Sequence, residues 1–253
     1  GAIIAPTSTM MPTDDPVILI RTGIERNRAN MGNTRSDADN QTQSSSDSES
    51  SLPPLGQDPF SDIVRLSGTR AVRTIFDVGA NVGQTASALS AMFPESTIYS
   101  FEPFAEAFAK LRSVAQGRPN ILPFEFALGD QDGGGVLFLN QNSTTNSLLQ
   151  NSDSLVRFVR KPTSVTPIGK SAINIFRLDT FCDQNEISSI DVLKIDTQGF
   201  ELKVLKGAGQ LLESKRIRFV YLEVLFVPLY EQQAEFHEVH RALAMCGYRF
   251  VNL

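Results

Sequence analysis

The chain has 253 residues, 41% of them hydrophobic, and a net charge of −5 with no cluster of Lys or Arg. That balance supports one ordinary packed domain plus a further segment, and it disfavours nucleic acid, whose phosphates call for a basic stripe. Two cysteines without CxxC spacing, Cys182 and Cys246, make no zinc site alone and fit the reduced thiols of a cytoplasmic protein.

No apolar run approaches the ~18 residues of a membrane helix, Val17 to Ile20 being far too short. The start at Gly1 rather than Met reads as a processed chain or a fragment, with targeting information outside it. From Asn33 to Ser51 the single apolar residue is Ala38, amid Ser, Asp, Asn and Gln. Such a stretch cannot bury enough surface to offset its ordering entropy. Residues 1–56 are therefore expected to be a disordered, low-complexity tail, and residues 57–253 the folded domain.

Beyond that boundary strands and helices alternate. Strands are expected at 73–77, 97–101 and 121–126, with helices at 84–93 and 104–116 between them. Phe104, Phe108, Leu111 and Ala115 give the second helix its inward face. Residues 136–140 read as a hairpin partner and 141–170 as loop. Strands at 173–178, 192–196, 218–225 and 248–251 follow, with helices at 180–185, 200–212 and 233–246. This order predicts an α/β fold, a doubly wound and mostly parallel Rossmann-like sheet. Ligands of such sheets lie beyond the carboxyl ends of the strands, where strand order reverses.

Three stretches sit at such strand ends. In "FDVGANVGQT", Asp77 closes a strand and Gly79, Asn81 and Gly83 lead into a helix. Glycines there permit unusual dihedrals and close approach to the backbone. The spacing matches neither GxGxxG nor a Walker loop, which counts against a NAD-dependent oxidoreductase. In "SFEP", Glu102 falls at the next strand tip, placed to accept both hydroxyls of a ribose. Together these two point to an adenosine-containing ligand. In "LKIDTQGFE", alternation puts Lys194 and Asp196 on one face of a strand. A lysine inside an apolar strand needs a partner, either Asp196 or Glu223. Asp196 then overhangs the crevice or, on a purely structural reading, caps the next helix with Glu201 in its first turn. "HEVH", with His237 and His240, is not HExxH, and no metal site is expected. Asp196, Glu201 and Glu223 are the one set of oxygens suited to Mg²⁺.

As a set, "FDVGANVGQT", "SFEP", "ALGDQDG", "TNSLL", "LKIDTQGFELKVLKGA" and "YLEVLFVPLYE" resemble the FkbM family of S-adenosylmethionine-dependent methyltransferases. The resemblance implies a class I methyltransferase sheet from about Asp58 to Leu253. It implies that Asp77, Gly79, Asn81 and Gly83 hold the methionine part of the cofactor, that Glu102 holds the ribose, and that the segment from Ala127 to Asp130 lies beside the adenine. It also implies a hydroxyl of a sugar, glycolipid or small metabolite as acceptor. Asp196 is the expected general base, with Glu223 and His237 as further candidates. Two departures stand out. Many relatives carry an acid where this chain has Gln198, and the final antiparallel strand of the family is missing, which would leave a sheet edge unpaired. A catalytically silent cofactor-binding or scaffold protein of the same fold is the alternative. Base methylation of nucleic acid is disfavoured by charge and by Thr197-Gln198, where paired prolines would stand.

Overall fold

The computed structural model describes residues 15–22, 56–159 and 162–252. In chain order the elements are β1 (Val17–Thr22), α1 (Pro59–Ser67), β2 (Thr74–Val78), α2 (Gln84–Met92), β3 (Thr97–Phe101), α3 (Ala105–Gln116) and β4 (Ile121–Phe124). Then come β5 (Ala127–Gly129), β6 (Gly133–Asn140), α4 (Leu155–Phe158), β7 (Pro167–Arg177), α5 (Leu178–Gln184) and β8 (Ile190–Ile195). The last are α6 (Glu201–Gly207), α7 (Gly209–Glu213), β9 (Ile217–Val224), α8 (Phe236–Met245) and β10 (Arg249–Asn252).

Seven strands form one sheet in the order β10-β1-β9-β8-β2-β3-β4, and every pairing in it is parallel. A second sheet, β5-β7-β6, stands beside it. Its long hairpin pairs β6 with β7, so the partner of 136–140 is Pro167–Arg177. The segment 141–170 holds short 3-10 turns at Ser143–Thr145 and Pro162–Val165 besides α4. The helix expected over 200–212 is broken at Ala208, whose ψ of 17° is not helical.

The main correction concerns the tail. Val17, Ile18, Leu19 and Ile20 are between 0 and 5% exposed and form the sixth strand of the sheet, between β9 and β10. A central parallel strand is covered on both faces and reads as a continuous aliphatic run. Four such residues inside a polar segment are that signature in its shortest form. β1 thus lies inside the sheet rather than at its edge, parallel to both neighbours. The rest of the expected tail, residues 1–14 and 23–55, lies outside the described residues.

Both sheet faces are covered. On one, Ile63 and Leu66 of α1, Ala86 and Leu89 of α2 and Phe108 and Leu111 of α3 pack on Ile75, Val192, Phe219, Val17 and Leu19. On the other, α5, α6, α7 and α8 cover Phe76, Leu193, Val220 and Ile18. A knot of rings, Phe76, Tyr99, Phe101, Phe124, Phe126 and Phe181, underlies the strand tips on this second face; Phe101 and Phe124 stack at 5.3 Å. Interlocked aromatic rings bury much area with few rotatable bonds, and so give the site above a stiff floor.

Candidate active site

Register across β2, β8, β9 and β1 arranges one face of the sheet in three rows. At the base lie Ile75, Val192, Phe219 and Val17, all apolar. Two residues on, Asp77, Lys194, Tyr221 and Leu19 align. A further two bring Asp196, Glu223 and Arg21 to the strand ends, with Arg21 facing Glu223 directly. The alternation of strand side chains thus carries the face from hydrophobic to charged as it nears solvent.

The buried lysine pairs with Asp77, a partner the sequence reading did not name, while Asp196 acts on it through its charge. Lys194 Nζ lies 2.8 Å from Asp77 Oδ1 and donates to the carbonyl of Gly79 at 2.9 Å. Burial works against its charge, but the Asp77 and Asp196 carboxylates outweigh it and hold the ammonium above its usual range. Asp77, expected beside the methionine part of the cofactor, is fully buried and is not among the residues bordering the cleft. It fixes Lys194, which in turn ties down the turn after β2.

That turn answers why glycine follows Asp77. Gly79 has φ +77°, and a β-carbon there would lie 2.0 Å from the carbonyl oxygen of Asp196. The close approach is of chain to chain, and it draws the tips of β2 and β8 together at the switch in strand order. Gly83 serves packing instead: a β-carbon would press Leu111 and Val114 of α3 at 3.0 and 3.3 Å. It too is outside the cleft lining.

Over this switch point opens a narrow cleft at the carboxyl ends of the strands. Gly79, Asn81, Glu102, Leu128, Asn146 and Asp196 are among its borders. Glu102 is buried at the rim. Its Oε2 accepts the N–H of Asn81 and its Oε1 the N–H of Phe104, each at 2.8 Å. Burial pushes its pKa up while those two N–H groups pull it back. Each oxygen keeps lone-pair capacity for a ligand hydroxyl. Asn81 stands in the left-handed region at φ 49°, and its buried Oδ1 has no hydrogen-bond partner among the described residues. A carboxylate with spare acceptor sites, an orphaned amide oxygen and the apolar Phe101 and Leu128 suit a ligand with hydroxyls at one end and a flat apolar ring at the other.

At the opposite rim, Gln198 joins two acids. Its Nε2 donates to Asp196 Oδ1 at 2.9 Å and to Glu223 Oε2 at 3.2 Å. Carboxylates only accept, so the amide must turn its NH₂ toward them. Its Oε1 lies 3.2 Å from the Tyr230 hydroxyl, and its carbonyl accepts Ser147 Oγ at 2.7 Å. Gln198 therefore supplies a donor where an acid would add a third negative charge. Glu201 is apart from these acids: its Oε1 accepts from Thr197 N, Thr197 Oγ1 and Gly199 N, closing the loop into α6. The loop is thus capped by Glu201, and Asp196 borders the cleft.

Two expected residues are elsewhere. Asp130 is engaged by Lys203 at 2.7 Å and does not border the cleft, although Ala127 and Leu128 of its segment do. His237 is exposed on the first turn of α8, 3.2 Å from Glu235, and is not among the residues bordering the cleft. Sequence reasoning passed over Arg21, and it took the loop 141–170 and "FVPLYE" as walls of the acceptor pocket without singling out Ser147 or Tyr230. For the last, "FVPLYE" was the available signal. Among the described residues no group of three or more His, Cys, Asp or Glu side chains is placed to hold a metal, and no helix is long and apolar enough to cross a membrane. Both cysteines are free thiols.

The Methyltransferase FkbM domain matches residues 77–250, from the end of β2 into β10. The chain belongs to the FkbM methyltransferase family. Similar proteins include the 2-O-methyltransferase NoeI of Sinorhizobium fredii, 28% identical over 163 residues, which cover 63% of this chain and 66% of that one. The hexuronic acid methyltransferase AglP of Haloferax volcanii is 25% identical over 166 residues, 64% of this chain and 61% of that one. Methyltransferase 1 of Beauveria bassiana is 24% identical over 143 residues, 53% and 57%. The chain thus spans under two-thirds of the length of each of these relatives. The seven-stranded parallel sheet with helices on both faces is the Rossmann-like fold that this family membership implies.

Proposed function

We propose that this chain is an S-adenosylmethionine-dependent O-methyltransferase acting on a hydroxyl of a sugar or similar small acceptor. One observation carries the reading: Glu102, held by two backbone N–H groups, and Asp196 stand on opposite rims of one cleft at the switch point of the sheet. Glu102 would hold the ribose hydroxyls, Asn81 the polar end of the cofactor, and Ala127 and Leu128 would flank the adenine. When bound, the cofactor supplies a methyl group already activated on a positively charged sulfur.

The protein's remaining tasks are to orient the acceptor and take its proton. Asp196 is the base by position, and Gln198 holds its carboxylate in place beside Glu223. Orientation of reactants contributes roughly 7–11 kcal/mol in favourable cases, and a positioned base about 10²–10⁴-fold. The names of two relatives, one for 2-O-methyl transfer and one for hexuronic acid, support a carbohydrate hydroxyl as acceptor. A net charge of −5 favours a small acceptor over nucleic acid. Free thiols support a reducing, cytoplasmic setting. Val17–Thr22 completes the sheet of this catalytic unit, which otherwise runs from residue 57 onward.

Thermal shift with S-adenosylhomocysteine, together with transfer of labelled methyl from S-adenosylmethionine, tests the proposal. A ligand at 100 times its dissociation constant adds about 2.7 kcal/mol, a shift of several degrees. Glu102→Ala is expected to lose the shift. Asp196→Asn is expected to keep it and lose about 10²–10⁴ in turnover. No shift with either cofactor form overturns the reading. Binding without transfer to a sugar panel marks a silent relative instead.

A further inference from the structure

A second cavity, of about 280 Å³, lies on the far side of Asp196 from the cleft. Arg21, Phe60, Gln84, Asp196, Tyr221 and Glu223 are among its borders. Gln84 and Asp196 border both spaces, so the two meet at the carboxylate assigned as base.

The charges in this cavity are layered by depth. Lys194 is buried and paired with Asp77. Glu223 is buried and accepts from Gln198. Arg21 is exposed and reaches the Tyr221 hydroxyl from the next strand. Of the two cations among the described residues bordering the cavity, the one nearer solvent is the guanidinium. Its five N–H donors form a planar fork that engages one phenol oxygen and still matches a carboxylate in bidentate fashion.

We propose that this cavity seats the methyl acceptor and that Arg21, delivered by β1, selects acceptors bearing a carboxylate, of the uronic acid class. The proposal rests on the methyltransferase reading. Arg21 and Asp196 stand two strands apart, roughly 10 Å between backbones at ~4.8 Å per strand. With both side chains reaching over the cavity, a single sugar-acid ring joins them, its hydroxyl toward Asp196 and its carboxylate toward Arg21. Phe60 of α1, edge-on to Tyr221 at 5.5 Å, supplies an apolar wall for the C–H face of such a ring. A neutral sugar offers no charged partner to the guanidinium.

The test is a ligand-observed NMR titration of the protein loaded with S-adenosylhomocysteine. The probes are sodium D-glucuronate and D-galacturonate, against D-glucose and D-galactose. The uronates are expected to bind about tenfold tighter or more than the neutral sugars, the scale of a charge-assisted pair. Arg21→Gln should erase that preference while leaving the thermal midpoint and the affinity for S-adenosylhomocysteine unchanged. Arg21→Lys should keep part of it. Absence of a uronate preference in the parent protein, or its survival in Arg21→Gln, overturns the proposal. Failure of S-adenosylhomocysteine to bind would overturn the methyltransferase reading itself, so the two failures are told apart.

Discussion

Glu201 shows how one buried carboxyl sets a pH dependence. Burial lifts its pKa from 4.5 to about 7, against backbone N–H groups that favour the anion. In the folded protein it keeps a proton that the unfolded chain has released. Stability from this group therefore falls as pH rises from about 4.5 to about 7 and is level above, a loss on the order of 3 kcal/mol. Glu102, also raised, adds a slope of the same sign. The bonds from Thr197 N, Thr197 Oγ1 and Gly199 N all end on Oε1 of Glu201, so Glu201→Gln can keep them with an amide oxygen. Urea midpoints at pH 5 and pH 7.5 should then differ less in the variant than in the parent; equal differences would contradict the assignment. The placing of Asp196 and Glu223 at neighbouring strand ends was legible at this scale because alternation along a strand fixes which residues share a face. The contacts of Asp130 with Lys203 and of His237 with Glu235 were not, because local spacing does not reveal such partners.

Among elements, the joint between β2 and β8 organises the site. The Asp77–Lys194 pair, the contact of Gly79 with the Asp196 carbonyl and the loop closed by Glu201 all meet there. Removing one partner of a buried ion pair strands the other, at a cost of roughly 3–5 kcal/mol. Lys194→Met should cost that much by urea unfolding, and Asp77→Asn combined with Lys194→Met should cost less than the single change. An additive double mutant would show that the pair is not coupled. The strands of this joint were read within a residue or two of their observed bounds, since their aliphatic runs and flanking turns are strong. The partner of Lys194 was missed because it depends on strand order: Asp77 and Lys194 are neighbours only once β2 and β8 lie side by side.

For the whole molecule, the largest surprise is β1. Composition assigned it to a polar tail, and its four aliphatic residues were weighed only against a membrane span. A strand this short has no periodicity of its own to read, and its meaning comes from the slot between β9 and β10. Truncating a buried aliphatic side chain costs about 2–5 kcal/mol. Ile18→Ala and Leu19→Ala are each expected to fall in that range, whereas Val136→Ala on the exposed hairpin should stay within about 0.5 kcal/mol. Equal, small effects at all three positions would remove β1 from the sheet.

That slot also dictates an order of events during synthesis. Val17 pairs with Phe219 and Arg249, more than two hundred residues along the chain. The strand leaves the ribosome early and must wait for both neighbours before it can dock. Until then its aliphatic side chains stay uncovered, and the half of the sheet bearing Glu223 and Arg21 is assembled last.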